Sequence, residues 1–448
     1  MNLIWRAVYR FYRVMSWLIY WAQRRFTYAG WMVLTVFFVA AFGGLDMESL
    51  SAYQGFVLLL FLLIVSFAFC GFFRLRFFAT RMLPRFGTAG QSFVYRIRIK
   101  NLTPKLQNDL TLLENPADPR PSFQEWLARQ IAEEKKVRSL RLSRPQQRYN
   151  PFRIATFSNA SVPPIPPNEE VEVQIAVMPL RRGLLRLEGI TIARTDPFGL
   201  FRAFSKFSSP ETILILPKRY PLPPVILPGA LRFQEGGVAL ASNVGQSDEF
   251  ISLREYRRGD PLRRIHWRSW ARIGKPIVRE FEDEFFARHA LVLDTFSDEP
   301  FSETFEEAVS VAASFACAVQ TQESLLDLLF VGEQAYCFTA GRGLGYVDQM
   351  LEILASVRVC TDKPFETLET LALNHIGVVS GCICVLLSWD KPRQRFVEKL
   401  KALNIPLRVV VILADKPSKP LNPGPMADEP EHFHALIAGQ IEQGLSRL

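Results

Sequence analysis

Residues 382–413 read CICVLLSWDKPRQRFVEKLKALNIPLRVVVIL. Cys382 to Trp389 is a continuous apolar run of strand length. Arg393 to Leu403 repeats its apolar residues at helical spacing, and Leu407 to Leu413 is a second apolar run. A strand that is apolar on both faces belongs to a parallel sheet, because the crossover helices cover both of its sides. The alternation extends outward. His289 to Asp294 and Leu325 to Val331 are strand candidates, and Phe301 to Gln322 and Tyr346 to Val357 are helix candidates. Glu431 to Leu448 reads as a closing helix. Residues 287–448 are therefore expected to form a Rossmann-type α/β domain. Ligands of such sheets sit at the carboxyl ends of the strands, where Asp294, Asp390 and Asp415 lie.

Upstream, the pattern changes to period two. Phe93 to Ile99, Val171 to Val177 and Leu185 to Ile192 alternate, and Thr212 to Leu216 is a short apolar run. An antiparallel β-sandwich over 85–216 is expected. It carries a proline-rich insertion, 116–168, whose residues 122–140 look helical. Five prolines between Pro217 and Pro228 mark a stiff linker, 217–244.

The N-terminal end is apolar. Ala29 to Leu45 and Ala52 to Phe73 carry no charge. A membrane-crossing helix needs about 17–25 such residues, so both read as spans of a transmembrane hairpin over 29–73. The link between them, Asp46 to Ser51, is acidic. Nine arginines flank the two spans within residues 1–86, with no lysine. This bias places the N-terminus and the large C-terminal part in the cytoplasm, where the six cysteines stay reduced. The apolar run begins 28 residues in and a second follows at once, which is unlike a cleaved leader. Residues 1–28 form a basic amphipathic helix: Ile4, Val8, Phe11, Met15, Leu18 and Ala22 recur at helical spacing. It either lies on the cytoplasmic leaflet or packs on the soluble part; the sequence leaves both open.

The formal net charge is +9, of which residues 1–86 supply +7 (nine arginines against Asp46 and Glu48). The remaining +2 gives little reason to expect a nucleic-acid partner. No Walker A run and no His-Glu-x-x-His are present, so nucleotide hydrolysis and zinc proteolysis are not expected. Cys382 and Cys384 alternate along one strand and read as core.

The most distinctive stretch, 249–284, reads EFISLREYRRGDPLRRIHWRSWARIGKPIVREFEDE. Phe250 to Tyr256 is strand-like, and Asp260 and Pro261 suit a helix start. Leu262, Ile265 and Trp267 are expected to face inward. Gly274 ends the helix, and Ile277 to Phe281 returns as a strand. Ten Lys/Arg and six acids interleave between 254 and 288. Arg254, Arg263, Arg264, Arg268, Arg272 and Arg279 form either a partner-binding face, with His266 and Trp267 among them, or a phosphate site, or else a network paired with Glu249, Glu255, Asp260 and Glu280. His266 alone reads as structural.

This run resembles the signature of the family called domain of unknown function 58. Glu249-Phe250, Leu253-Arg254-Glu255-Tyr256, Gly259-Asp260, Arg263-Arg264-Ile265-His266-Trp267, Ala271-Arg272 and Val278-Arg279-Glu280-Phe281 match it. So does Asp196-Pro197-Phe198-Gly199-Leu200-Phe201, after Arg182-Gly183. The resemblance implies a bacterial inner-membrane protein with a von Willebrand factor A-like C-terminal domain over 287–448 and the signature at 245–286. Such proteins occur alongside MoxR-type AAA+ ATPases and are thought to help assemble or activate protein complexes. The implied role is a non-enzymatic adaptor that binds the ATPase or its client protein.

A-type domains usually hold Mg²⁺ through Asp-x-Ser-x-Ser, a Thr and a late Asp, oxygen ligands suited to a hard cation. Here Asp294 begins that loop, Phe296 stands at the first serine, and Asp298 at the second. Ser297 is a neighbouring oxygen, and Asp390 matches the late Asp. No residue matches the Thr, which the Gly341-Arg342-Gly343 loop should hold. The alternatives are a metal-dependent site at Asp294, Ser297 and Asp390, or two aspartates that cap the helices after them.

Overall fold

In this computed structural model, the residues described are 2–43, 50–73, 75–138, 153–223, 250–257, 262, 265–281, 287–299, 302–318, 324–340, 344–415, 417 and 421–446. The chain divides into two units, one mostly Met1–Arg219 and the other mostly Tyr220–Leu448.

The first unit opens with three helices, α1 (Asn2–Arg25), α2 (Tyr28–Gly43) and α3 (Leu50–Phe72). One stretch, Tyr53–Phe72, is long and apolar enough to cross a membrane. α2 is equally apolar, but its 16 residues reach about 24 Å, short of a hydrocarbon core of about 30 Å. Two full spans are therefore not seen among the described residues; most of the acidic link lies outside them. α2 and α3 touch where Phe37 stacks on Phe56, ring centroids 4.9 Å apart.

The strands follow: β1 (Phe77–Met82), β2 (Phe86–Thr88), β3 (Phe93–Asn101), β4 (Leu110–Pro116), then α4 (Phe123–Arg138), β5 (Ala155–Phe157), β6 (Ala160–Val162), β7 (Glu170–Pro179), β8 (Gly183–Thr195) and β9 (Arg202–Leu216). They build two sheets, ordered β1-β3-β7-β5 and β2-β9-β8-β4-β6. The strict alternation in β3 and β7 turns Ile97, Ile99, Val173 and Ile175 inward, into one core with Leu112, Ile190, Ile192 and Ile215. Each such side chain contributes about 1.5–3 kcal/mol by leaving water. The sandwich starts earlier than the sequence suggests, because β1 pairs with β3 from Phe77 onward. α4 begins with a capping box: Ser122 N donates to Glu125 Oε2 (2.8 Å), and Glu125 N to Ser122 Oγ (3.4 Å).

One ion pair is wholly enclosed by this unit. Arg81 meets Glu114 through Nε (3.0 Å) and Nη2 (3.1 Å), and Tyr95 OH donates to Glu114 Oε1 (2.6 Å). Both charged side chains are fully buried. Burial and the adjacent carboxylate push the Tyr95 phenol well above its ordinary value.

The turn after β8 holds α2 and α3. Asp196 accepts from the backbone N–H of Phe198 (3.0 Å), Leu200 (2.7 Å) and Phe201 (2.6 Å), and Gly199 takes φ +75°, a conformation glycine adopts without strain. Thr27, before α2, donates its Oγ1 to the Gly199 carbonyl (2.5 Å) and its N–H to that of Leu200 (3.0 Å). Phe201 packs on Phe26 (4.5 Å) and Phe67 (6.1 Å), and Phe198 on Phe69 (6.1 Å).

The second unit begins with β10 (Phe250–Glu255), α5 (Trp267–Ile273) and β11 (Ile277–Phe281). It continues as β12 (Ala287–Leu293), α6 (Glu303–Ala318), β13 (Ser324–Val331), β14 (Ala335–Ala340), α7 (Leu344–Ser356), α8 (Glu366–His375), β15 (Gly381–Leu386), α9 (Lys391–Ala402), β16 (Leu407–Leu413), β17 (Phe433–Ile437) and α10 (Ile441–Leu445). Six strands form one sheet, ordered β14-β13-β12-β15-β16-β17. All pairs are parallel except β13 with β14. Residues 433–437, expected within a closing helix, pair instead with β16 as an edge strand. Cys382 and Cys384 are buried in the core with Val409, Val411 and Phe396.

Candidate functional site

From β12 the chain moves to β13 on one side and later to β15 on the other. That reversal puts the topological switch point at the carboxyl ends of β12 and β15, the usual ligand position in such sheets. Asp294 follows β12 there and is completely buried. Its carboxylate accepts from Phe296 N (3.0 Å), Leu387 N (3.0 Å) and Arg393 Nε (2.6 Å). Asp390 follows β15 and caps α9, accepting from Arg393 N (3.2 Å).

Arg393 joins the two aspartates. Its Nη1 donates to Asp390 Oδ2 (2.6 Å) and its Nη2 to the Phe296 carbonyl (3.1 Å). The guanidinium lies 4.9 Å from the Phe365 ring centroid. Burial works against the Arg393 charge; the two carboxylates more than offset it and hold the group above its ordinary value. Burial likewise pushes the Asp294 carboxyl up, opposed by Arg393 and the two N–H groups.

A divalent cation between these aspartates would take the place where the guanidinium stands. Phe296, at the position of the first metal-binding serine, is buried and packs edge-to-face on Phe365 (5.7 Å). Ser297 is half-buried, and Asp298 and Asp415 are exposed. Among the described residues no group of three His, Cys, Asp or Glu side chains is placed to hold a metal. Gly341, Arg342 and Gly343 lie outside the described residues. Arg393 was not singled out in the sequence, where attention fell on the acids; its signal is its place three residues after the capping Asp390, behind Pro392.

The signature residues build a separate small module. β10 and β11 pair antiparallel, and α5 lies between them in sequence. Ile265 bridges Val278, and His266 N donates to Ile277 O (2.8 Å). Ile265, Ile277 and Val278 are buried. The inward placement expected for Leu262 and Trp267 is not found: they are 68% and 65% exposed, and Ile273 is 59% exposed. The physical reason is size. Two strands and a seven-residue helix bury Ile265, Ile277 and Val278 and are too small to enclose Leu262 or Trp267 as well.

Trp267 stacks on Trp270, centroids 5.2 Å apart. His266 Nδ1 meets Ser269 Oγ at 2.6 Å, a structural contact at the helix start. Arg268 and Arg272 are exposed and Arg254 is half-buried. The Glu255 carboxylate pairs with Lys275 (3.0 Å), and its carbonyl accepts from Arg254 Nη1 (3.3 Å). Arg279 lies on β11; Arg263, Arg264, Asp260 and Glu249 fall outside the described residues. Among the described residues the module thus leaves Leu262, Trp267 and Ile273, and the cations Arg268 and Arg272, exposed.

A Bacillus subtilis (strain 168) protein described as "Uncharacterized protein YeaD" is 27% identical over 176 residues, 39% of this chain and 42% of that protein. The chain thus spans less than half the length of that curated relative. Among solved structures, Salmonella alpha-2-macroglobulin reacted with methylamine matches 34% of this chain and 8% of its own, at 14% identity and TM-score 0.19. The CARDB domain of PF1109 from Pyrococcus furiosus matches 31% of this chain and 93% of its own, at 10% identity and TM-score 0.16. Likeness at that level carries no argument. Residues 252–420, which hold most of the signature module and most of the α/β sheet, match the family described as "Protein of unknown function DUF58".

Proposed function

We propose that this chain is a membrane-anchored adaptor. α2 and α3 form the hairpin anchor in a bacterial inner membrane, and the sandwich and α/β domain face the cytoplasm. The α/β domain is a von Willebrand factor A-like domain that works without a metal, because Arg393 already neutralises Asp294 and Asp390. The signature module grips a protein partner, a MoxR-type AAA+ ATPase or its client.

The observation that carries this reading is the exposure of Leu262, Trp267 and Ile273, together with exposed Arg268 and Arg272 on the short helix of Trp267 and Ile273. Apolar anchors, tryptophan above all, and arginines are the residue types that dominate protein interfaces. Their natural complement is an apolar surface rimmed by carboxylates.

The test is affinity purification of the full chain from mildly solubilised membranes, with and without ATP, read by mass spectrometry. An AAA+ ATPase should be recovered in a nucleotide-sensitive manner and lost with Trp267→Ala or Arg268→Glu/Arg272→Glu. Undiminished capture by these variants, folded as wild type, would remove the signature module as the grip. A stoichiometric divalent metal on the purified protein would favour the metal-dependent alternative.

A further inference from the structure

α1 has two working faces. Trp5, Tyr9 and Tyr12 pack on the insertion helix α4: their rings stand 5.9, 5.5 and 6.1 Å from Trp126, and Tyr9 OH donates to Pro121 O (2.7 Å). At its end, Arg24 donates to Asn115 (2.6 Å), and Arg25 lies over the Phe204 ring (4.2 Å). Docking on the sandwich unit therefore accounts for one side of the helix.

A different side is bare. Ile4, Val8, Phe11, Met15 and Leu18 recur every three or four residues and so share one stripe. All five are exposed, Ile4 by 71% and Phe11 by 67%. A water-facing stripe of this length is unfavourable on a helix that has already found its protein partner. Two observations say what covers it. α1 ends at Arg25 and the apolar helix α2 starts at Tyr28, so two residues of chain join the helix that bears the stripe to the segment read as membrane-embedded. α1 also carries five arginines and no acid, which suits an anionic lipid surface.

We propose that α1 lies in the cytoplasmic leaflet with the Ile4–Val8–Phe11–Met15–Leu18 stripe among acyl chains, while its aromatic face holds α4. The bilayer thus contacts the protein at a second place besides the hairpin. This rests on the reading of α2 and α3 as the membrane anchor.

The test places a benzophenone amino acid at position 11, 13 or 58 of the full chain, reconstituted in phosphatidylethanolamine and phosphatidylglycerol vesicles. Position 58, in α3, reports the anchor; position 13, off the stripe, is the control. After irradiation, the protein labelled at 11 should gain the mass of one phospholipid, as at 58, with only background at 13. Lipid adducts at 58 but none at 11 would overturn the proposal and leave the anchor standing. Their absence at both would overturn the anchor reading, and this proposal with it. A covalent dimer through position 11 would assign the stripe to a second copy of the chain and equally reject the leaflet.

Discussion

Gly30 in α2 faces the carbonyl of Leu200 so closely that a Cβ on it would stand 2.2 Å from the oxygen. Only a residue without a side chain lets the helix seat on the Asp196 turn. Gly30→Ala should force the two apart and destabilise the first unit by about 1–3 kcal/mol. Protease cleavage near Phe26 should speed up in the same variant. An unchanged melting temperature and cleavage rate would mean that the helix is not seated there.

Arg393→Met should be among the most damaging substitutions in the α/β sheet. It leaves Asp294 buried without its cation, a change that typically costs about 3–5 kcal/mol. Thermal unfolding reads the loss. Adding Asp294→Asn removes the stranded charge and should recover part of it. If the double variant is no more stable than the single one, the guanidinium acts through packing on Phe365 rather than through charge.

His434 gives the second unit a pH dependence of known sign. Burial, with Arg408 and His432 nearby, pushes its imidazole down from the ordinary 6.5 to about 4. The unfolded chain therefore takes up the proton first. The neutral form's contribution to stability is complete above about pH 6.5 and is lost as the pH falls towards 4. Melting temperatures measured across that window should drop more steeply for wild type than for His434→Gln. Parallel curves would count against it.

Trp267→Ala separates surface from core. With the ring mostly exposed, its removal should change stability by no more than about 0.5 kcal/mol, while partner capture falls. A large loss of melting temperature would show the ring to be a structural element after all.

The parts of the fold that could be read in advance are those where burial leaves a plain pattern. β15 is apolar throughout, and β16 apolar except for Arg408, because the sheet buries both their faces. β3 and β7 alternate because only one of theirs is buried. β17 escaped because Phe433–Ile437 is a short edge strand only partly buried, with little periodicity to separate it from a helix. β1 escaped because its arginine resembles the basic flank of a membrane span, although Arg81 is buried against Glu114. Asp294 and Asp390 were legible as strand-end acids; the arginine between them was not, because a buried guanidinium and a surface one look alike in sequence. Leu262 and Trp267 misled for the opposite reason: apolar residues imply a core, and here the module is too small to supply one.

The Asp196 turn leaves α2 and α3 almost no slack. Two residues separate α1 from α2, four separate α3 from β1, and the turn between β8 and β9 clasps Thr27, Phe67 and Phe69. Tilting either helix must therefore twist β8 and β9, with no tether to take up the movement. The sandwich is a stiff stem on α2 and α3, so a force that tilts these helices reaches it as torque.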